Sequence, residues 1–311
     1  MRSPSVAQLR QTLLRSDEFV EKYRTMHPDV GNHPNLNRAR RAVVFIHLQK
    51  TGGTSLRELI GKHFSPERRC PILQDKLHIL SLAELGQYDF FAGHFDISCN
   101  GFIPRDAIET VAMFREPHAR LVSFYRFLRS HPIGDEFAGD QLIPLAHALS
   151  AEQFFERPEL RDFSAVNNHY LFAFGRSFSW FDQNRESLSE KVLRSVLLDA
   201  QLQLRALTAL GITEKFSESA HLICRSLGMK APESIEALHV TDNFAAADAR
   251  FRRVEPVEMT PRLTEGMRDL VEYDKILYEY AVHEFNRRQK RLSGLSDRIA
   301  TDSISISSVW P

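Results

Sequence analysis

Val43–Ile60 reads VVFIHLQKTGGTSLRELI. Val43 to His47 is an apolar, β-branched run, too hydrophobic for a strand with one wet face, and it predicts a central strand of a parallel sheet. Lys50-Thr51-Gly52-Gly53-Thr54-Ser55 follows as a glycine turn, and Leu56, Leu59 and Ile60 then share one side of a helix. A buried strand, a glycine turn and a helix N-terminus in this order form an anion site. The N–H groups of the first helical turn lack intrahelical partners, and the helix dipole favours negative charge there. In a Walker A loop the lysine follows the glycines, whereas Lys50 precedes Gly52 and Gly53; no G-x-G-x-x-G follows the strand either. The usual kinase and dehydrogenase inferences therefore do not apply.

Working outward, Tyr88–Ala92 reads as a second strand ending at Gly93-His94. Thr110–Phe114 reads as a third, followed at once by Arg115-Glu116-Pro117. Proline is favoured at the first helical position, and Leu121, Val122, Tyr125 and Leu128 continue one helical face. Ala206–Ile212 predicts a fourth strand, and Leu77–Leu82 either a short strand or a turn. Helices are predicted over Ala151–Phe155, Arg161–Ala173, Glu186–Ala200, Glu214–Leu227 (closed by Gly228) and Glu265–Arg288. Ser130–Leu149 is irregular and sits where insertions border active sites. Strands alternating with helices give an α/β class: a central, mostly parallel sheet flanked by helices, with ligand sites at the carboxyl ends of strands. Lys50–Ser55, Gly93-His94 and Arg115 all sit at such ends.

The organisation expected is an N-terminal helical arm and linker (1–36), a main domain (37–290) and a serine-rich, mobile tail (291–311). Ser5–Tyr23 carries apolar residues at helical spacing, either as a helix packed on the domain or as a partner-binding arm.

Lys plus Arg number 40 and Asp plus Glu number 40, so the net charge is zero, which argues against a nucleic-acid partner. Hydrophobic residues at 43% suffice for a sizeable core. Cys70, Cys99 and Cys224 are too widely spaced for a zinc site or disulfide framework. No signal-peptide core and no run of ~18 apolar residues is present, so a soluble, cytoplasmic protein is expected. No metal-ligand cluster is visible.

IHLQKTGGTSL resembles the IHxPKTGGTSL signature of the family 2 sulfotransferases, a group of carbohydrate sulfotransferases (heparan sulfate 2-O-sulfotransferase among them) with many bacterial relatives. FREPHARLVSFYRFL is similar to their second motif, R-[ED]-P-x-x-R followed by a serine in the next helical turn. Gly93-His94, Asn167-Asn168 before Leu171, LGITEKFSESAHLICRSLG and YDKILYEYAVHEF are weaker matches, and together the resemblance spans Val43 to Phe285. Gln49 departs from it, standing where the signature has proline.

The resemblance implies a P-loop-like sulfotransferase fold and 3′-phosphoadenosine 5′-phosphosulfate (PAPS) as co-substrate, with no metal required. It implies sulfuryl transfer to a hydroxyl of a carbohydrate or glycoconjugate. Gly52 and Gly53 would let the backbone approach the 5′-phosphosulfate, and the N–H groups from Gly52 to Ser55 would donate to it with the hydroxyls of Thr51, Thr54 and Ser55. Lys50 would meet charge growing on the bridging oxygen. Arg115 would pair with the 3′-phosphate, and Ser123 would add a hydroxyl.

His94 is the candidate base, against a purely structural role at a strand end. Glu116 is a rival base, against orienting Arg115 or capping the helix. His47 reads as a buried, satisfied histidine, and Arg120, Arg126 and Arg129 as a solvated face. The alternatives are a non-catalytic nucleotide- or glycan-binding relative and a sulfotransferase with a non-carbohydrate acceptor. A tyrosine acceptor is disfavoured by the missing secretory signal. Animal members carry a Golgi anchor, so its absence suggests a bacterial enzyme or a trimmed chain.

Overall fold

The computed structural model describes residues 40–133, 141–231 and 251–306, with side chains to residue 292. The predicted arm over Ser5–Tyr23 and the linker lie outside the described residues.

Four strands form one sheet: β1 (Ala42–Ile46), β2 (Phe90–Gly93), β3 (Ile108–Phe114) and β4 (Ala209–Ile212). The order is β2-β1-β3-β4, and every pair is parallel. The apolar run of β1 is therefore central, and all five of its residues are buried. Helix α1 (Gly53–Gly61) follows β1, and α2 (Leu82–Leu85) precedes β2. After β3 come α3 (Pro117–Ser130), α4 (Leu142–Ala148), α5 (Ala151–Phe155), α6 (His169–Gly175), α7 (Phe178–Asn184) and α8 (Glu190–Ala206). Helix α9 (Phe216–Ser226) follows β4, and α10 (Pro261–Ile306) closes the fold.

Side chains alternate across a strand, so each strand feeds two cores. Val44, Ile46, Phe91, Ala112, Phe114 and Leu210 point to a layer built with α6, α8 and the second half of α10. Val43, Phe45, Phe90, Val111, Met113 and Ala209 point to a layer built with α1 and α9. A third cluster joins α3, α4, α5 and the first half of α10, away from the sheet. Fully burying each such Phe, Leu or Val contributes ~1.5–3 kcal/mol, so the sheet is a rigid platform for the loops at its carboxyl edge.

Several expectations change on contact with tertiary structure. Of the two readings of Leu77–Leu82 the turn holds, as a 3-10 turn over Leu77–Ile79. Arg161–Ala173 is not one helix. A 3-10 turn over Pro158–Asp162 is followed by a loop, and α6 begins only after Asn168, whose φ of 41° is left-handed. The irregular Ser130–Leu149 stretch contains α4. Arg120 is not part of a solvated face: it is fully buried and donates to Ala165 O at 2.9 Å. The backbone of α10 runs on past Arg291, where a weakly patterned tail was expected.

Among the described residues no helix is long and apolar enough to cross a membrane. All three cysteines are free and buried.

Candidate active site

Because all four strands are parallel, their carboxyl ends share one edge of the sheet, and the loops leaving them converge. The loop after β1 carries Lys50 at φ 66° and Gly52 at φ 76°, both left-handed. Such angles strain any residue with a Cβ, and for Gly52 they account for glycine directly. Thr51 is fully buried and its hydroxyl donates to Leu48 O at 2.9 Å, which braces the turn. Among the described residues no side chain caps α1, so its first N–H groups remain available to an anion beside Thr54 and Ser55. Gly53 has a different reason: a Cβ there would overlap the ring of His47.

Lys50 Nζ lies 4.2 Å from the centre of the Phe127 ring on α3. Burial, then the neighbouring cations Arg115 and Arg126, pull its pKa down to about 7. Arg115 leaves the end of β3 and donates to Lys50 O at 3.2 Å. Its main chain is held by Tyr170 of α6, whose hydroxyl donates to Arg115 O at 2.7 Å. Arg126 donates to Val254 O at 2.8 Å. Ser123, three and four residues before Arg126 and Phe127, shares their helix face and is buried. The structure brings Lys50, Arg115 and Arg126 close together, and Ser123 lies buried on the α3 face that carries Arg126 and Phe127. Burial lowers the pKa of Arg115, opposed by the charges of Glu214 and Glu116, and Arg126 lowers it further. The donor set fits a group with more than one phosphate-like end.

Beside this cluster stands His94, just past the end of β2. Its Nδ1 is 2.7 Å from His47 O. A carbonyl can only accept, so Nδ1 carries the proton and neutral His94 presents a lone pair at Nε2. Burial lowers its pKa, against the opposing bond to His47 O, and Arg57 and Lys50 lower it further. It is therefore neutral at pH 7, as a base must be. The His47 ring lies 4.6 Å from that of His94, and burial keeps it well below the usual histidine range.

Glu116 takes the capping role. Its carboxylate accepts from the N–H groups of His118 (3.2 Å) and Ala119 (2.7 Å) at the start of α3. Burial alone would raise its pKa, but the hydrogen bonds from His118 and Ala119 outweigh that and lower it.

A cavity of about 180 Å³ opens next to His94, with Gln49, Gln74, Asp75, His169 and Phe178 in its wall. Gln49, the departure from the motif, thus faces this cavity. Asp96 braces the wall: its carboxylate accepts from Phe178 N at 2.9 Å and Ser98 N at 2.8 Å. Burial raises the pKa of Asp96 to about 6, helped by the charge of Asp75.

Three positions were not singled out from the sequence. Thr213, at the end of β4, has its hydroxyl oxygen 2.6 Å from Thr51 O and 2.9 Å from Phe114 O, knitting three strand ends together. The strand-end rule that found Arg115 would also have found it. Tyr170 and His169 reach the site through the packing of α6, which no local pattern reports. Among the described residues no cluster of His, Cys, Asp and Glu could hold a metal ion.

No protein-family model matches the chain. A protein-tyrosine sulfotransferase of Arabidopsis thaliana is 30% identical to it over 114 residues. The chain is distantly related to a sulfotransferase. The match covers 36% of this chain and 22% of the relative, so the chain spans only about a fifth of that protein's length. The α/β fold with an all-parallel, helix-flanked sheet accords with a sulfotransferase.

Proposed function

We propose that the chain transfers a sulfuryl group from PAPS to a hydroxyl of a carbohydrate or glycoconjugate. One observation carries this reading: Lys50, in the loop that leads into α1, lies close to Arg115 and Arg126, and the neutral imidazole of His94, with its lone pair at Nε2, stands near it. The co-substrate supplies an activated sulfur with a stable bisphosphate as leaving group. The turn from Gly52 to Ser55 would hold the phosphosulfate end, and Arg115 with Ser123 the 3′-phosphate. His94 Nε2 takes the acceptor's hydroxyl proton as that oxygen bonds to sulfur and the bridging S–O bond breaks. Lys50 meets the charge left on the bridging oxygen, which favours the transition state over the ground state.

A second reading, transfer to a tyrosine hydroxyl, has its support in the named activity of the Arabidopsis relative. Both share the donor site and differ in the acceptor.

The test is transfer of labelled sulfate from PAPS to a panel of glycosides and tyrosine peptides, with products identified by mass spectrometry. Transfer by the wild type and loss of at least 100-fold in Arg115→Ala are expected, in line with removal of a key charged contact. Wild-type levels of transfer by Arg115→Ala would overturn the site assignment.

A further inference from the structure

His47 follows β1 directly. It is buried, as its place in the sequence suggests, with 8% of its surface exposed, but it is not satisfied. Among the described residues neither of its ring nitrogens has a hydrogen-bond partner. Only its carbonyl bonds to a histidine, accepting from His94 Nδ1. The ring is nonetheless held in one orientation. It stacks on Phe45 at 5.4 Å with an interplanar angle of 12°, and the His94 ring lies 4.6 Å away. Its Cδ2–Nε2 edge is turned to Gly53, where a Cβ would overlap both atoms. The imidazole thus takes the space of a side chain at position 53, and Nε2 stands at the first residue of α1.

This is the junction of the phosphate-type turn and the cavity, because His47 also belongs to the cavity wall. Burial, then His94, Arg57 and Lys50 keep its pKa well below the usual histidine range. The ring is therefore uncharged at pH 7 and carries a single N–H. A buried polar group without a partner costs ~1–3 kcal/mol, and an occupant of the turn can remove that cost. An oxyanion at the N-terminus of α1 has only acceptor oxygens. It selects the tautomer with the proton on Nε2 and receives that N–H beside those of the helix. Lys50 and Arg57, which act on the same ring, favour negative charge there.

We propose that His47 donates from Nε2 to an oxygen of an anion seated on the first turn of α1, and that this oxygen belongs to the sulfuryl group in transit. Only the second half rests on the sulfotransferase reading. His47 is then a catalytic residue, since it touches the reacting group, while His94 takes the acceptor's proton. Its contact is made to PAPS and is missing from 3′-phosphoadenosine 5′-phosphate (PAP), which has no sulfuryl group.

The experiment uses the full chain. In the first arm the histidine rings are labelled with 15N, and the His47 signals are assigned by their absence in His47→Gln. Inorganic sulfate, alone and with PAP, and PAPS are then titrated into the wild type. Sulfate and PAPS should fix the Nε2–H tautomer and shift the Nε2 signal, and PAP alone should shift it less. A His47 signal unmoved by all three would mean that the ring serves water or packing only, and would overturn the proposal. This arm needs no variant with an altered core.

The second arm measures transfer of labelled sulfate to the best acceptor of the panel and PAP affinity by calorimetry. His47→Leu removes the N–H and should lower kcat about 100-fold, with the Kd for PAP unchanged. His47→Gln, whose amide N–H can reach the Nε2 position, should recover at least tenfold of that loss. A packing role alone would weaken PAP binding with kcat and would give glutamine no advantage over leucine; that pattern, or an unchanged kcat in His47→Leu, would overturn the catalytic role. Wild-type transfer with His47→Leu unaffected leaves the sulfotransferase reading standing without this proposal. A sulfate-dependent shift at His47 Nε2, with no transfer to any acceptor, leaves the anion contact standing without that reading.

Discussion

The carboxyl edge of the sheet holds two adjoining regions of opposite chemistry. Around Lys50 the cations crowd one another, and the turn contributes N–H donors. Around His169 the wall is made of neutral and acidic acceptors. Under the proposed function the first would hold an anion and the second a donor of hydrogen bonds. His94 stands between them, its Nδ1 fixed by the His47 carbonyl and its residue part of the cavity wall. Under the proposed function, a charged co-substrate and an uncharged one would be kept apart by wall chemistry alone, without a separate domain for each.

Lys50→Ala tests that division most severely. It should reduce transfer by ~10²–10³-fold, as expected when a donor to developing charge is removed. The melting temperature should hold or rise, because a buried cation repelled by Arg115 and Arg126 has been taken away. A large fall in melting temperature would mean that Lys50 is structural.

Gly53→Ala strikes both regions at once, since the new methyl would displace the His47 ring that backs His94. A cost of ~1–3 kcal/mol in denaturant unfolding is expected, with loss of activity beyond it. Full activity would show that the His47–Gly53 contact does not position the base.

The two regions should also titrate oppositely. kcat/KM should rise with pH through a value below the usual 6.5, as His94 loses its proton, and fall above about 7 as Lys50 loses its own. Binding of 3′-phosphoadenosine 5′-phosphate should weaken above pH 7 and take up protons in calorimetry, because an anion favours charged Lys50 and raises its pKa. Lys50→Arg should move the alkaline limb upward. A pH-independent affinity would contradict the depressed lysine.

The smallest effect is expected at Thr213→Val. Losing its hydroxyl contacts to Thr51 O and Phe114 O should cost about 1 kcal/mol of stability and weaken donor binding several-fold, with acceptor KM unchanged. A change confined to the acceptor would mean that the strand-end tie serves the other region.

How far these regions were legible in the sequence follows their physics. The Lys50 side is local: a strand, a turn and a helix start are contiguous in Val43–Ile60, and Arg115 announces itself through the proline behind it. The strands were legible because buried parallel strands are continuous apolar runs. The cavity is assembled from pieces remote in the chain: Gln74 and Asp75 before β2, His94 after it, His169 at the head of α6. No periodicity links them. Gln49 looked like a defect of the donor loop, and only the fold places it in the cavity wall. The broken helix at Arg161–Ala173 depended on a left-handed asparagine, whose conformation composition does not reveal.

That asparagine has a further consequence. Asn168 donates from Nδ2 to Asp269 O (2.9 Å) and from its backbone N–H to Leu270 O (2.7 Å), while its Oδ1 accepts from the N–H groups of Tyr273 (2.8 Å) and Asp274 (3.3 Å). In an uninterrupted helix those carbonyls and amides pair with each other, residue 269 with 273 and 270 with 274. The long final helix is thus spliced at one turn by a foreign side chain. Before the splice Leu263, Met267 and Leu270 pack on the outlying cluster; after it Leu277, Ala281 and Phe285 pack on the sheet. The rod that looks continuous is a coupling between two separately packed bodies, and His169 is the next residue after its pivot.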